Sequence, residues 1–411
     1  MISSADSIAL TSPRPSFPGL FAGLAAFVCF IAIVSALMLV ASMRTRANTA
    51  ALVPMMFPEK WRGLGAQQAL WRSDDVLPLY GSSELVVDMQ NRATEFFGTY
   101  PTGFAVAPIG DRAYSPLSMA IAIASLGTAV RGRRVVILLS GTWFIGDDTR
   151  NDQKVFRAHY STLQAGDVVF LSGLPIELRR RFARQVLDYE PLSALGPLLG
   201  TPLTCLARQC IFERLLPAIA PIWLLRSLPL RAYGSVQLLL KVRNATVPVR
   251  NAARVNWDEL VTQGDSVWRS RSASNPLGIQ DSIWNTDLAR IVTTKGSVSD
   301  DQFLRFVEHA PKWQELDLLL STLQALGARP LVLITPLKGA WWDYKGVSRA
   351  ARERLYERLE SATARFTFPA RDFREYDGDP HFLSETRSHL SPKGWAQFDR
   401  AINAFYHDSL R

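Results

Sequence analysis

The chain carries four short apolar runs of the length of buried strands. They cover residues 76–80, 104–109, 135–139 and 330–335. Between the second and third runs lies an alanine-rich helical pattern over residues 115–130. Continuous apolar runs alternating with helical patterns are typical of a parallel sheet. The pattern therefore predicts an α/β fold built on parallel strands.

Two longer stretches read as helical. Residues 303–326 form a helical pattern that ends at Gly327, and residues 174–240 mix leucines with arginines and prolines. The apolar run 215–225 in the second stretch is too short for a membrane span, and Arg226 and the prolines argue against one. Two interpretations of 174–240 are open: an insertion lying on the membrane surface, or a helical subdomain packed on the sheet.

The N-terminal part contains a stretch without any charge, residues 17–43. A helix needs about 20 apolar residues to cross a bilayer, and the apolar core of a cleaved signal peptide is shorter. We therefore predict a tail over 1–16, a transmembrane signal anchor over 17–43 and a connector over 44–72. The rest, 73–411, is expected to form one α/β domain with a helical insertion at about 174–240, which either faces the membrane or packs on the sheet.

The charges beside the predicted anchor bear on its orientation. Arg14 is the only basic residue before it, whereas Arg44 and Arg46 follow it directly. Read literally, the positive-inside rule places the body of the protein in the cytoplasm.

Composition narrows the classes of partner. The net charge of +9 suits an anionic polymer or a membrane surface. We exclude nucleic acid, because the chain has no zinc-finger spacing or RNA-binding fingerprint and a membrane anchor fits such a role poorly. No metal-ligand spacing is present, and no metal or cofactor is expected. Cys205 and Cys210 are either a disulfide in an extracytoplasmic body or two reduced cysteines in an apolar segment.

Candidate chemistry begins where the first apolar run ends, at Gly81-Ser82-Ser83-Glu84. A strand that ends here places a serine hydroxyl at the carboxyl edge of the sheet, where ligands of α/β proteins bind. A helix opening at Glu84 would offer free N–H groups to a developing oxyanion. The same string is also an ordinary helix cap. A second signal lies near the end of the chain, where His389 opens the string His-Leu-Ser-Pro-Lys-Gly-Trp, typical of a general base on a loop.

Taken together, these two strings resemble the DltD family, the membrane-anchored SGNH-hydrolase-like proteins of teichoic-acid D-alanylation. Two further segments carry the resemblance. Ser-Gly-Thr-Trp-Phe at 140–144 partly matches the family's Ser-Pro-Gln-Trp-Phe, and residues 337–346 resemble its Pro-Val-Asn-Gly-x-Trp-Tyr-Asp-Tyr-x-Gly signature.

The resemblance implies an SGNH-like, doubly wound domain outside the cytoplasmic membrane, opposite to the side that Arg44 and Arg46 favour. It also implies a serine acyltransferase or esterase that handles a D-alanyl or other acyl ester. The implied partners are a membrane-bound O-acyltransferase (DltB-like) and an anionic or glycan polymer of the cell envelope.

The implied catalytic residues are Ser83 as nucleophile, with Ser82 as the fallback, and His389 as base. The family places an aspartate three residues before the histidine, where this chain has Thr386. Glu385 stands one residue further back and is the first candidate for the acid. Three alternatives stay open at this point: Asp377, Asp379, or a dyad without an acid.

The resemblance also implies pocket residues. Gly110, Thr142 and Trp143 would line the pocket and supply oxyanion donors, and Trp341, Trp342 and Tyr344 would contact sugar faces of the substrate. The alternative is that Gly110 only forms a turn and that the aromatic residues pack in the core.

Two other function classes are compatible with the sequence. A non-catalytic envelope scaffold would tolerate the loss of the family's aspartate. A lipase or esterase acting on free lipids would use the same dyad, with 215–225 as its lipid-entry surface.

Overall fold

A computed structural model describes residues 18–146, 149–242 and 254–408. The predicted tail 1–16 and the first residue of the predicted anchor lie outside the described residues.

In the described part of the chain, five parallel strands form a single sheet with the order β2-β1-β3-β4-β5. The chain adds β2 on one side of β1 and then returns to place β3 on the other side, so the strand order reverses between β1 and β3. In open α/β sheets the crevice at such a reversal is the usual ligand site. The strands are β1 Val76–Tyr80, β2 Ala105–Ile109, β3 Arg134–Ser140, β4 Arg329–Thr335 and β5 Ala370–Asp372.

Eighteen α-helices occur in the described residues, with one-turn 3₁₀ segments between them. They are α1 Pro18–Ala47, α2 Thr49–Leu52, α3 Glu59–Arg62, α4 Gly65–Arg72, α5 Ala93–Thr99, α6 Pro116–Ala124, α7 Thr149–His159, α8 Thr162–Phe170, α9 Ile176–Tyr189, α10 Leu192–Arg208, α11 Leu216–Val242, α12 Trp257–Arg271, α13 Asp281–Val292, α14 Asp300–His309, α15 Lys312–Leu326, α16 Gly339–Lys345, α17 Arg349–Ala364 and α18 Pro392–Tyr406. The 3₁₀ segments are Ser83–Leu85, Gly127–Val130, Gly141–Phe144, Ile211–Leu215 and Arg374–Tyr376.

Helices cover both faces of the sheet. Because successive strand side chains point to opposite faces, Val135 and Ile137 pack with α6, α8, α15 and α17, whereas Val136 and Leu138 pack with α5, α12 and α18. Each face of the sheet therefore has its own hydrophobic core. The predicted α/β fold with a parallel sheet is confirmed.

All four predicted strands are present, but two predicted helices differ. The pattern 115–130 gives α6 only to Ala124 and then a separate 3₁₀ turn. The pattern 303–326 is split into α14 and α15 at Pro311, since proline disfavours helical conformation in the residue before it. The predicted end at Gly327 is confirmed, and this glycine has a φ of 69°.

The predicted connector 44–72 forms part of the folded body. It contains α2, α3 and α4, and Leu52, Trp61 and Trp71 from this segment are buried in the first core. The ammonium of Lys60 is buried as well and donates to the carbonyls of Val53 and Met55, at 2.8 and 2.9 Å.

Among the described residues, two helical stretches are long and apolar enough to cross a membrane, Phe21–Ala47 and Ile211–Val242. The first is the predicted anchor. The second differs from the expectation that the apolar run 215–225 is too short for a membrane span, because α11 continues through Pro221 and Pro229.

One face of α11 packs on the body and the other is exposed. Trp223 covers Gly166, where an added Cβ would lie 2.0 Å from the indole ring, and its Nε1 donates to Asp167 at 2.8 Å. The exposed face is apolar and contains Ile222, Leu224, Leu225, Leu230, Tyr233, Val236 and Leu240. Nearby, Cys205 and Cys210 form a disulfide.

Candidate active site

The structure brings Ser83 and His389 together across 306 positions of sequence. Ser83 opens the 3₁₀ turn that follows β1, and the distance from its Oγ to Nε2 of His389 is 2.7 Å. The pair lies at the carboxyl edge of the sheet, at the reversal of strand order between β1 and β3. The sequence also predicted a helix starting at Glu84, which is incorrect. A single 3₁₀ turn has no helix macrodipole to stabilise an oxyanion.

His389 is held by the closed loop 380–391, the His389 loop. The carbonyl of His389 accepts hydrogen bonds from the backbone N–H and the hydroxyl of Ser384, at 2.8 and 3.1 Å. Leu383 and Leu390 form an isolated antiparallel bridge. Ser391 ends the loop by capping α18 and donating to the carbonyl of His381 at 2.6 Å. The imidazole therefore enters the site on a loop tied at both ends.

Glu385 is the carboxylate that reaches His389. Its Oε1 lies 2.9 Å from Nδ1, and 14% of the histidine side chain and 16% of the glutamate side chain are exposed. The oxygen meets the distance but not the angle of a hydrogen bond. The contact exists because Glu385 and His389 are four residues apart at the two sides of a tight loop.

Asp377 is paired with residues other than His389. Its carboxylate is fully buried, is held by the guanidinium of Arg352 at 2.9 Å, and accepts from the hydroxyl of Tyr356 at 2.7 Å. Arg349 adds a second ion pair at 2.9 Å. Asp377 therefore stabilises the segment that enters the His389 loop and does not contact the imidazole.

Asp379 is also paired away from His389. Lys393 bridges Asp379 at 2.7 Å and Asp265 at 2.8 Å, and His381 lies 3.3 Å from Asp265. Asp265, Asp379 and His381 are close enough together to hold a metal ion. The Lys393 ammonium already supplies the positive charge between the two carboxylates, so this donor set does not point to a metal.

The sequence reasoning missed Glu84 as a site residue. Its side chain is buried, and its Oε1 accepts the backbone N–H of Ser82 at 2.6 Å. Burial raises the pKa of this carboxyl, while the Ser82 N–H and the nearby His389 oppose the shift. Glu84 thus fixes the turn that presents Ser83, and Ser82 faces inward as part of that turn. The signal in the sequence was an acidic residue directly after a predicted nucleophile.

Gly110 lies beside the serine turn. It has a φ of 141°, and an added Cβ would lie only 2.0 Å from the carbonyl oxygen of Gly81. Only glycine permits this approach of the ends of β1 and β2.

Thr142 is connected to the His389 loop. The Ser140 hydroxyl lies 2.7 Å from Thr142 Oγ1 and donates to Ser388 Oγ at 2.7 Å. The end of β3 is thus tied to the residue before His389. Trp143, by contrast, is partly buried against the first core.

The predicted sugar-binding aromatics divide into two kinds. Trp342 is only 9% exposed and packs edge-on against Phe303, so the prediction of a substrate contact for it does not fit the structure. Trp341 and Tyr344 stack on each other with their ring planes 14° apart and are partly exposed. In the part of the chain that the structure describes, neither has a recorded contact with Ser83 or His389.

Lys338 is a second site residue that the sequence did not indicate, and its ammonium is hydrogen-bonded to the His389 loop. Its buried ammonium donates to the carbonyls of Gly278, Pro380 and Leu383, at 2.8, 2.9 and 2.7 Å. Burial lowers the pKa of Lys338 to about 7. Three carbonyl acceptors match the three N–H donors of the ammonium form.

Lys338→Met is expected to lower the free energy of unfolding by about 1–3 kcal/mol at pH 7, because buried carbonyls lose their donor. The difference should widen toward pH 9. Between a folded pKa of about 7 and the ordinary 10.5, the unfolded chain binds a proton that the folded chain does not, so wild-type stability rises with pH in this window. Urea unfolding in neutral detergent at several pH values measures this. Exposed Lys295→Met is the control, and a difference independent of pH would contradict the assignment.

The chain is similar to known proteins over most of its length. A family model described as "DltD protein" matches residues 57–407. Protein DltD of Bacillus subtilis is 24% identical over 375 residues, which cover 88% of this chain and 89% of that protein. Protein DltD of Staphylococcus aureus is 24% identical over 351 residues, covering 83% of each chain. Protein DltD of Lacticaseibacillus rhamnosus is 20% identical over 343 residues, 81% of this chain and 78% of that one.

Proposed function

Because this chain belongs to the DltD family, we propose that it is a membrane-anchored serine acyltransferase that moves a D-alanyl or acetyl ester onto a cell-envelope polymer. The observation that carries the proposal is the 2.7 Å contact between Ser83 Oγ and His389 Nε2 at the reversal of strand order. A serine becomes a nucleophile when an adjacent base takes its proton.

In the proposed first half-reaction, Ser83 Oγ attacks the carbonyl carbon of a donor acyl ester or thioester. His389 Nε2 takes the serine proton, and the Glu385 carboxylate stabilises the imidazolium through Nδ1. The tetrahedral intermediate then collapses. The bond to the donor's leaving group breaks, the leaving group receives the proton from His389, and Ser83 retains the acyl group as an ester.

In the second half-reaction, a polymer hydroxyl attacks the acyl-serine while His389 takes its proton. Collapse of this intermediate returns that proton to Ser83 Oγ and leaves the acyl group on the polymer. Gly110 and Thr142 lie at the ends of β2 and β3 beside the pair, and we assign their segments to the pocket that receives the carbonyl oxygen. Trp341 and Tyr344 remain the candidates for contact with the polymer.

We place the body on the extracytoplasmic side, anchored by α1, with the apolar face of α11 against the bilayer. The Cys205–Cys210 disulfide supports this side, because disulfides persist in oxidising compartments. Arg44 and Arg46 favour the opposite side. A membrane-bound O-acyltransferase (DltB-like) is the proposed source of the acyl group, and the net charge of +9 favours an anionic acceptor.

A fluorophosphonate probe tests the enzyme assignment directly. An activated serine displaces fluoride from the probe and forms a stable Ser–O–P bond, so the intact protein should be labelled with one probe at Ser83. Ser83→Ala should abolish labelling, and His389→Ala should slow it strongly. Ser82→Ala is the matched control, because Ser82 is the neighbouring serine and is buried. This variant should be labelled at Ser83 like the wild type. Mass spectrometry of the labelled peptide identifies the site.

Two results would overturn the proposal. Undiminished labelling of Ser83→Ala would place the nucleophile elsewhere. An unlabelled wild-type protein that still supports polymer acylation in cells would favour the scaffold role.

A further inference from the structure

A cavity of about 860 Å³ lies between α1, α11 and the helices α3, α4 and α8, outside the catalytic site. We call it the anchor groove. It shares no lining residue with the Ser83 site, and the proposed acyl transfer does not use it. Its place beside the membrane helix distinguishes it from a pocket for a soluble substrate.

The lining of the anchor groove changes along α1 from apolar to basic. Met38 and Leu39 line the end nearer the middle of α1, and Leu230 and Leu238 of α11 add further apolar lining. Arg46 lines it seven residues beyond Leu39, about 10 Å further along the helix axis. This gradient matches a molecule with an apolar tail in the bilayer and an anionic group at its surface.

The basic side chains of the groove are not all neutralised. Arg231 is paired with Asp167, and Arg157 lies 3.6 Å from Glu190. Arg46, Arg62 and Arg72, in contrast, are exposed and have no carboxylate partner among residues 18–146, 149–242 and 254–408. Glu59 is the single acidic residue in the lining. The groove therefore has an excess of positive charge where the membrane helix leaves the bilayer.

A further polar donor lies at the groove. Tyr160 lines it, and its hydroxyl is buried without a hydrogen-bond partner in the described residues. Phosphate oxygens accept hydrogen bonds from such hydroxyls and from arginine guanidinium groups.

From these contacts we infer that the anchor groove binds one anionic glycerophospholipid, with its phosphate on Arg46, Arg62 and Arg72 and its acyl chains between α1 and α11. A soluble phosphate compound would use the arginines but not the apolar end, so the apolar lining favours the lipid. The bound lipid would hold α11 and the body against the bilayer surface.

Native mass spectrometry of the full chain in maltoside detergent tests the inference. Dioctanoyl phosphatidylglycerol should bind as one molecule per chain. Dioctanoyl phosphatidylcholine, with the same chains and no net charge, should bind about tenfold more weakly or less, and sn-glycerol 3-phosphate should not bind. Each of Arg46→Gln, Arg62→Gln and Arg72→Gln should weaken phosphatidylglycerol binding about fivefold, and the triple variant on the order of a hundredfold.

The matched control is Arg44→Gln, which removes an exposed arginine from the same end of α1 outside the groove; it should bind like the wild type. Ser83→Ala should also bind like the wild type, which separates this inference from the proposed acyl transfer. Equal binding of the two lipids, or equal effects of Arg44→Gln and Arg46→Gln, would show general adsorption and overturn the inference. Binding of sn-glycerol 3-phosphate as tight as that of the lipid would overturn it in favour of a soluble phosphate site. If the triple variant does not fold, the single variants decide.

Discussion

Replacing Ser83 or His389 by alanine is expected to reduce acyl transfer to the polymer by about 10³- to 10⁶-fold. Without Ser83 no acyl-enzyme forms. Without His389 the hydroxyl keeps its proton, because no other base among the described residues is recorded within hydrogen-bonding distance of Ser83 Oγ. The measurement is the rate of labelled acyl transfer from donor membranes to the polymer, with the variants at equal protein levels.

The double variant Ser83→Ala/His389→Ala should lose little more than either single variant. Residues that act as one unit give non-additive losses, because removing one already disables the other. Independent, additive losses would show that the 2.7 Å contact is not functional. Ser82→Ala provides the baseline for mutating a serine in this turn, with an expected change of a few-fold at most.

The second large effect is expected at Glu385, where replacement by glutamine should reduce the rate by about 10²- to 10⁴-fold. Nucleophile and base remain in this variant, but the carboxylate that fixes the imidazole tautomer and stabilises the imidazolium is lost. The loss should appear in kcat rather than KM, because the carboxylate acts on His389 and not on the bound donor.

Asp379→Asn is the matched control, since Asp379 directly precedes the His389 loop and is paired with Lys393. It should change the rate by a few-fold at most. A loss at Asp379→Asn equal to that at Glu385→Gln would contradict the assignment of the acid.

Thr386→Asp tests the same assignment in the opposite direction, since it restores the acid at the position that the family uses. In the Glu385→Gln background it should recover part of the lost rate if a carboxylate beside Nδ1 is what the site requires. If the double variant folds and the rate does not recover, the backbone allows a carboxylate to reach Nδ1 of His389 from position 385 but not from position 386.

Much of the scaffold could be predicted from residue pattern. Buried parallel strands consist almost wholly of apolar residues, so 135–139 and 330–335 stand out without a structure. The short edge strand β5, Ala370–Asp372, was missed because its side chains are largely exposed and polar. The continuity of α11 was missed because prolines usually end helices, whereas here packing of Trp223 against Gly166 holds the helix on the body.

Ser83 and His389 were predicted from the sequence because their two strings together resemble the DltD family, and the structure brings the two side chains within 2.7 Å of each other. The sequence by itself left the acid open among Glu385, Asp377 and Asp379, and it did not find Lys338. The local sequence pattern shows only which groups are close together along the chain. The choice among three carboxylates depended on competing partners, because Arg352 and Lys393 occupy two of them and leave only Glu385 beside the imidazole. Those partners come from distant segments, and only tertiary packing decides which charges meet.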